Sequence, residues 1–304
     1  MNAVLRFAAR CSARLFYAFL IWLPALAAHA QNGSTPLIWE ARSASNTVYL
    51  FGTIHVGARK LYPLSPAVEK AFAGSRVLAL EADPTQTGGA IDAMANAGYK
   101  PPDTIANHIS PELMSKVERV LPQIGLPIEY ARVMRPALLA MTIAVMEIGR
   151  QGYDPSLGLD VHFARLAKQQ GKRIVELESL SEQLALLQSF SPALQAGMLE
   201  AAVESVQTGT LATELRDLVA AWRTGDADGL MGQLEKDTAD LPPDLAREYT
   251  DSLYSTRNLG MTQKITAMLE GGEPTFVAVG AGHLLGDTGL VKLLQTKGYK
   301  LRKL

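Results

Sequence analysis

The stretches "VYLFGTIHVG" (residues 48–57) and "TFVAVGAGHLLG" (residues 275–286) lie towards opposite ends of the chain, yet each runs an apolar segment into glycine, two further residues and histidine. With only 5 histidines in 304 residues, the repetition asks for a common cause. Apolar, strand-forming residues precede each glycine, which predicts one β-strand ending near Gly52 and another ending near Gly280. Glycine lets a backbone turn sharply or approach a ligand closely. Gly52 and Gly280 therefore suit strand ends that bend and aim His55 and His283 inward, with Gly282 in the second turn.

Outward from the first stretch, "LIWEARS" and "TVYLFGTIH" read as two strands joined by the turn-forming "ASN". "SPAVEKAFAGS" has helical spacing with Ser65 as cap and Pro66 in the first turn, and it feeds "RVLALEAD", an apolar strand that ends on Glu81. Strand, helix and continuously apolar strand predict a parallel sheet covered on both faces. From about residue 90 to 270 the spacing is mainly that of amphipathic helices, interrupted by "KRIVELES" (172–179) as a strand. Residues 136–148 are apolar nearly all round, but the run falls short of the ~20 residues that span a bilayer, so a buried helix is expected, with Met134, Met141 and Met146 as core filling. From Glu273 the chain closes as strand, loop, helix and a last short strand. The fold class is α/β, with a mixed or mostly parallel central sheet built from the N- and C-terminal parts and a large helical middle region forming a cap.

At the start, Arg6, Arg10 and Arg14 precede an apolar run, and Ala28-His29-Ala30 supplies small residues for cleavage, so residues 1–30 read as a secretory signal. The run is short and contains Pro24, which disfavours a membrane anchor. A single domain over residues 31–304, periplasmic or secreted and without a membrane span after signal cleavage, is expected. The one cysteine is Cys11, which excludes disulfides and thiol catalysis beyond the signal. A formal net charge of −1 with scattered lysine and arginine excludes a nucleic-acid partner.

In an open parallel sheet, ligands bind outside the carboxyl ends of the strands. His55, Glu81 and His283 are delivered to that end, and two histidines with a carboxylate are a ligand set for a catalytic divalent metal. Glu81 alone reads equally well as a helix cap or a lysine partner, and either histidine alone as a loop residue. His108 and His162 lie in helical territory without a matching partner and are assigned structural roles. "GAGHLLG" misses the dinucleotide fingerprint, since Leu285 stands at the third glycine position and no acidic residue follows at the required distance.

Taken with "LALEAD", "GLDVHFARLAKQQGKRIVELESLSEQL" and "TRNLGMTQKI", the two GxxH stretches resemble the TraB/PrgY/GumN family. That family includes the Tiki membrane-tethered metalloproteases, and its fold is similar to erythromycin esterase and ChaN. The resemblance implies a secreted hydrolase dependent on a divalent metal (Zn, Mn or Co), with His55 and His283 on the metal and Glu81 as third ligand or general base. It implies that Arg257 faces the site, holding a substrate carboxylate or a developing oxyanion, and that Glu178 is a second acid or a supporting partner. A salt bridge from Arg257 to Asp251 or Glu81 is the alternative. The expected substrate is a peptide or small molecule cleaved at an amide or ester. The competing readings are capture of a peptide, haem or metal without turnover, and an accessory role in cell-surface polysaccharide export.

Overall fold

The structure, a computed structural model, describes residues 36–86, 97–239 and 241–304. The signal read in residues 1–30 lies outside the described residues.

Six strands form one mixed sheet: β1 (Ile38–Arg42), β2 (Thr47–Thr53), β3 (Val77–Leu80), β4 (Arg173–Glu176), β5 (Thr275–Gly280) and β6 (Lys300–Lys303). Their spatial order is β4-β3-β5-β2-β1-β6. The four strands β4, β3, β5 and β2 run parallel, whereas β1 pairs antiparallel with β2 and β6. The chain ends therefore build most of the sheet, and the middle contributes β4 alone among the described strands. Register explains why the GxxH stretches converge: Gly52 pairs with Val279 and Thr53 with Gly280, so both histidines leave the same edge of adjacent parallel strands.

Alternation along each strand divides the core between two faces. On one face Phe51, Leu78, Leu80 and Phe276 pack against Phe72 and Phe163, with Phe163 at a ring separation of 4.9 Å from both Phe72 and Phe276. Leu50, Ala79, Val277 and Val279 face the other way, onto Met261, Ile265 and Leu269 of the helix Thr256–Glu270 and Leu290 and Leu294 of the helix Leu290–Thr296. Both faces are thus covered, which is why the inner strands read as unbroken apolar runs. Ser65 caps its helix by accepting from the Val68 N–H, with Pro66 at the first helical position as the spacing predicts.

The middle region packs as a second, helical core in which Pro111–Ile124, Pro136–Arg150 and Pro192–Thr208 meet around Val117, Leu139, Ile143 and Leu199. The helix Pro136–Arg150 is buried along most of its length, and no helix among the described residues is long and apolar enough to cross a membrane. Met134 and Met146 pack against that core as filling, whereas Met141 faces a cavity. Trp222, from the helix Thr210–Thr224, donates its indole N–H to the Gly52 carbonyl at 2.8 Å and so pins the cap to β2 beside the site.

Candidate active site

His55 follows β2 by two residues, Glu81 is the first residue after β3, and His283 lies in the short 3-10 turn Ala281–Leu284 after β5. Glu81 and His283 are buried, and His55 is half-buried at the edge of the cavity. Both imidazoles turn Nε2 towards one oxygen, Glu81 Oε1, at 4.0 Å from His55 and 3.7 Å from His283. The glycine pattern therefore does mark a shared site, but for a reason other than the sharp turn expected. Neither Gly52 nor Gly280 has a positive φ. Gly280 sits at φ −50° and ψ 136°, a backbone open to any residue, and a Cβ built there would lie 3.1 Å from His55 Nε2 and 3.3 Å from Glu81 Oε1. What Gly280 provides is room between the imidazoles and the carboxylate. At Gly52 a Cβ would instead press on Ala281 and Leu284, and at Gly282 on the Tyr254 ring and Leu234.

Two side chains fix the imidazoles: Asp160, not singled out in the sequence, and Asn258, which the "TRNLGMTQKI" motif contains but to which sequence reasoning assigns no role. Asp160 Oδ2 lies 2.8 Å from His55 Nδ1, while its Oδ1 accepts from the Thr53 hydroxyl at 2.8 Å. Asn258 Oδ1 lies 2.6 Å from His283 Nδ1, and its amide nitrogen donates to the Thr288 carbonyl at 2.8 Å. Because a carboxylate or amide oxygen only accepts, each Nδ1 carries a proton, and in its neutral form each ring presents an Nε2 lone pair to the centre. Asp160 reaches His55 because Gly57 and Asp154 bridge the two loops and the Leu159 N–H donates to Ile54, with Gly158 in close contact with the His55 carbonyl. "GLD" was the one local signal for it, a glycine that admits the backbone and an acid in the first helical turn.

Arg257 is not a free fork. Its Nη2 donates to Glu81 Oε2 at 2.8 Å and Glu178 Oε2 at 2.6 Å, its Nε to Glu178 Oε1 at 2.9 Å, and its Nη1 to the Leu253 carbonyl at 3.0 Å. Of the two ion-pair partners anticipated from the sequence, Glu81 is the one observed, joined by Glu178. Gln183 reaches the same two carboxylates at 3.2 and 3.3 Å, and the Gly280 N–H donates to Glu81 Oε1 at 2.7 Å. A π-helical turn, Asp251–Ser255, precedes the Arg257 helix, and Tyr254 from it packs on His283 at 5.4 Å between ring centres. His108 stacks on Tyr99 and His162 packs on Tyr62, both away from the site, in the structural roles expected.

Burial opposes a charged His55 ring, yet the adjoining Asp160 carboxylate prevails and raises its pKa to about 9. Burial pushes His283 down to about 4 against the pull of Glu81, assisted by the charge of Arg257. Glu81 is also penalised by burial, but His283, Arg257, His55 and the Gly280 N–H together hold its carboxyl well below the usual carboxylate range. These partners favour the ionised form of Glu81.

The donors fit a divalent ion in type and aim: two imidazole lone pairs and a carboxylate oxygen around a spot that a Gly280 side chain would fill. Ligands about 2.1 Å from a tetrahedral metal stand about 3.4 Å apart, so separations of 3.7 and 4.0 Å are slightly wide of closure. In keeping with that, no three His, Cys, Asp or Glu side chains among the described residues are drawn together at metal-holding spacing. Below this centre a cavity of about 210 Å³ opens between the sheet and the cap, with Met141, Leu186, Leu218, Leu234 and Leu253 among its walls.

The sequence is similar to the uncharacterized protein YbaP of Escherichia coli (strain K12), 25% identical over 247 residues that cover 81% of this chain and 87% of that protein. It is similar also to the metalloprotease TIKI1 of Danio rerio, 25% identical over 83% of this chain and 60% of that protein. The metalloprotease TIKI2 of Danio rerio is 30% identical over 167 residues, 47% of this chain and 32% of that protein. No solved structure matches. The model of the TraB/PrgY/gumN family matches residues 37–303, which includes every residue of the site, and the chain belongs to that family.

Proposed function

We propose that the protein is a divalent-metal-dependent hydrolase of peptide or related amide or ester bonds. The observation that carries this reading is the convergence of His55 Nε2 and His283 Nε2 on Glu81 Oε1, with each Nδ1 fixed from behind by Asp160 or Asn258. The metalloprotease names of two relatives point the same way. His55, His283 and Glu81 would hold the ion, which when bound would supply Lewis-acid chemistry for hydrolysis; zinc, manganese and cobalt all suit two nitrogens and one oxygen. Arg257 acts as a clamp that keeps the Glu81 carboxylate ionised and holds the Glu81 and Glu178 carboxylates in place. One of its five N–H groups remains for a substrate oxygen. Glu178 serves as the counter-ion that aims the guanidinium. A signal in residues 1–30 would place the mature protein in the periplasm or outside the cell, and sequencing the N-terminus of the recovered protein tests that assignment.

The direct test is metal content by mass spectrometry, followed by product analysis on a peptide library, for the wild type and the His55→Ala and His283→Ala variants. About one equivalent of metal and metal-dependent cleavage in the wild type, both lost in the two variants, is expected. Cleavage that persists in either variant overturns the mechanism. Retention of peptides with no product would identify capture instead.

A further inference from the structure

The cavity that opens from the site is lined by His55, Glu81, Gln183, Arg257 and His283 at the centre and mainly by apolar and tyrosine side chains elsewhere, where Asp237, on the helix Ala227–Ala239, is the charged lining residue among the described residues. Asp237 is exposed and lines the cavity, with Tyr249, Tyr254 and Leu234 as fellow lining residues. Among the described residues no cation offsets it: the charge that acts on it is that of another carboxylate, Glu214. We propose that Asp237 is the specificity-determining anchor of this cavity and selects substrates with a basic side chain, lysine or arginine, beside the bond to be cleaved. The inference rests on the hydrolase reading for the cleavage step, though not for binding.

Three considerations lead to a cation. The first is size: an engineered apolar cavity of ~150 Å³ admits benzene, so about 210 Å³ holds one long side chain rather than a longer segment. The leucine walls then suit the methylenes of lysine or arginine, whose charged end needs a partner where the stem stops. A neutral apolar guest would strip water from the Asp237 carboxylate and leave it unpaired, and an acidic guest would meet Asp237 and Glu81 with Arg257 already held by Glu81 and Glu178. Only a cation gains at that wall. Desolvation by burial and the Glu214 carboxylate push the Asp237 carboxyl up to about 7, so its ionised form is disfavoured and an incoming ammonium would stabilise it.

Two readouts on protein purified from expression of the full chain test this. In the first, fluorescent 4-aminobenzamidine is titrated against wild type and Asp237→Asn, with neutral 4-aminobenzamide as control. The cation should bind the wild type at least about tenfold more tightly than the control, and Asp237→Asn should erase the difference. In the second, metal-loaded protein is given peptides that differ in one residue, lysine, arginine, leucine or glutamate. The ratio of kcat/KM for lysine over leucine should be at least about ten and should fall by that factor in Asp237→Asn, while Asp237→Lys should shift preference to glutamate. Cleavage beside leucine with no response to Asp237→Asn overturns the inference and leaves the hydrolase standing. Selective binding of the cation with no peptide cleaved overturns the hydrolase and leaves the cation pocket. Equal binding of the two probes, whatever is cleaved, removes the pocket.

Discussion

Substitution of Gly280 by alanine separates the site from the fold more cleanly than removal of any ligand. The backbone there, φ −50° and ψ 136°, accepts alanine without strain, and the N–H that donates to Glu81 Oε1 is retained. Replacing glycine at a compatible position stabilises by about 0.4–1 kcal/mol through the unfolded chain. Against this, the new methyl would meet His55 Nε2 at 3.1 Å and Glu81 Oε1 at 3.3 Å, a crowding that costs about 1–3 kcal/mol if nothing moves. The His55 ring, half-buried at the cavity edge, can give by a few tenths of an ångström, so the net change in stability should stay within about 1 kcal/mol. The methyl nevertheless occupies the spot on which both Nε2 lone pairs converge. Metal affinity should fall by at least about 100-fold, at the upper end of losses measured for disturbed metal surroundings. Urea titration and metal content after dialysis, on the same preparations, give both numbers. Full metal content with wild-type affinity in Gly280→Ala would show that the ion does not lie between His55, Glu81 and His283.

Four other substitutions test the surroundings. Asp160→Asn keeps the shape but removes the charge behind His55, and should weaken metal binding by about 10–100-fold by calorimetric titration with little effect on folding. Arg257→Ala leaves Glu81 and Glu178 buried without a counter-charge and should destabilise by about 3–5 kcal/mol in urea, whereas Gln183→Ala, which removes one weaker donor to each carboxylate, should cost about 1 kcal/mol. Asp237 sets a pH dependence: its folded pKa is raised to about 7, so it holds its proton more tightly when folded, and the stability it contributes is complete below about pH 4 and lost as pH rises through 7. Unscreened, that shift would be worth about 4 kcal/mol; exposure of Asp237 to water reduces it to about 1 kcal/mol. Asp237→Asn should match the wild type at pH 4 and exceed it at pH 8, and parallel stability curves for the two proteins would contradict the assignment.

The strands that carry the site are legible in the sequence because β2 and β5 each run into a glycine three residues before a histidine, β3 runs into Glu81, and all three are largely apolar on both faces. Parallel order follows from that apolarity, yet the antiparallel pairing of β6 with β1 does not, since "KLRK" is short and exposed and gains its place only from its partner. Asp160 and Asn258 escape notice for a different reason. Each is one polar residue on an amphipathic helix, indistinguishable by spacing from a solvated face until the helix is docked against β2 or β5. Arg257 is visible as a residue but not in its role, because whether a guanidinium meets a substrate or a carboxylate depends on Glu178, which arrives from the far side of β3 through the Glu178 N–H to Glu81 carbonyl bond.

The charge of the assembled cluster explains why these residues occur together. Glu81, Glu178 and Asp160 contribute three carboxylates against the one guanidinium of Arg257, which leaves a formal charge of −2 when both imidazoles are neutral. A buried group of that charge is costly unless something positive completes it. Protonation of His55, raised to about 9, supplies part of the compensation, but it uses the Nε2 lone pair that faces Glu81. A divalent ion held by His55, His283 and Glu81 would supply all of it and would leave both Nδ1 hydrogen bonds intact. Arg257 cannot substitute for that ion, because its donors point at Oε2 and Glu178 rather than into the space beside Gly280. The guanidinium thus completes one side of the Glu81 carboxylate and leaves Oε1 directed at the imidazoles, the one arrangement in which a single carboxylate serves both as a structural anchor and as a ligand.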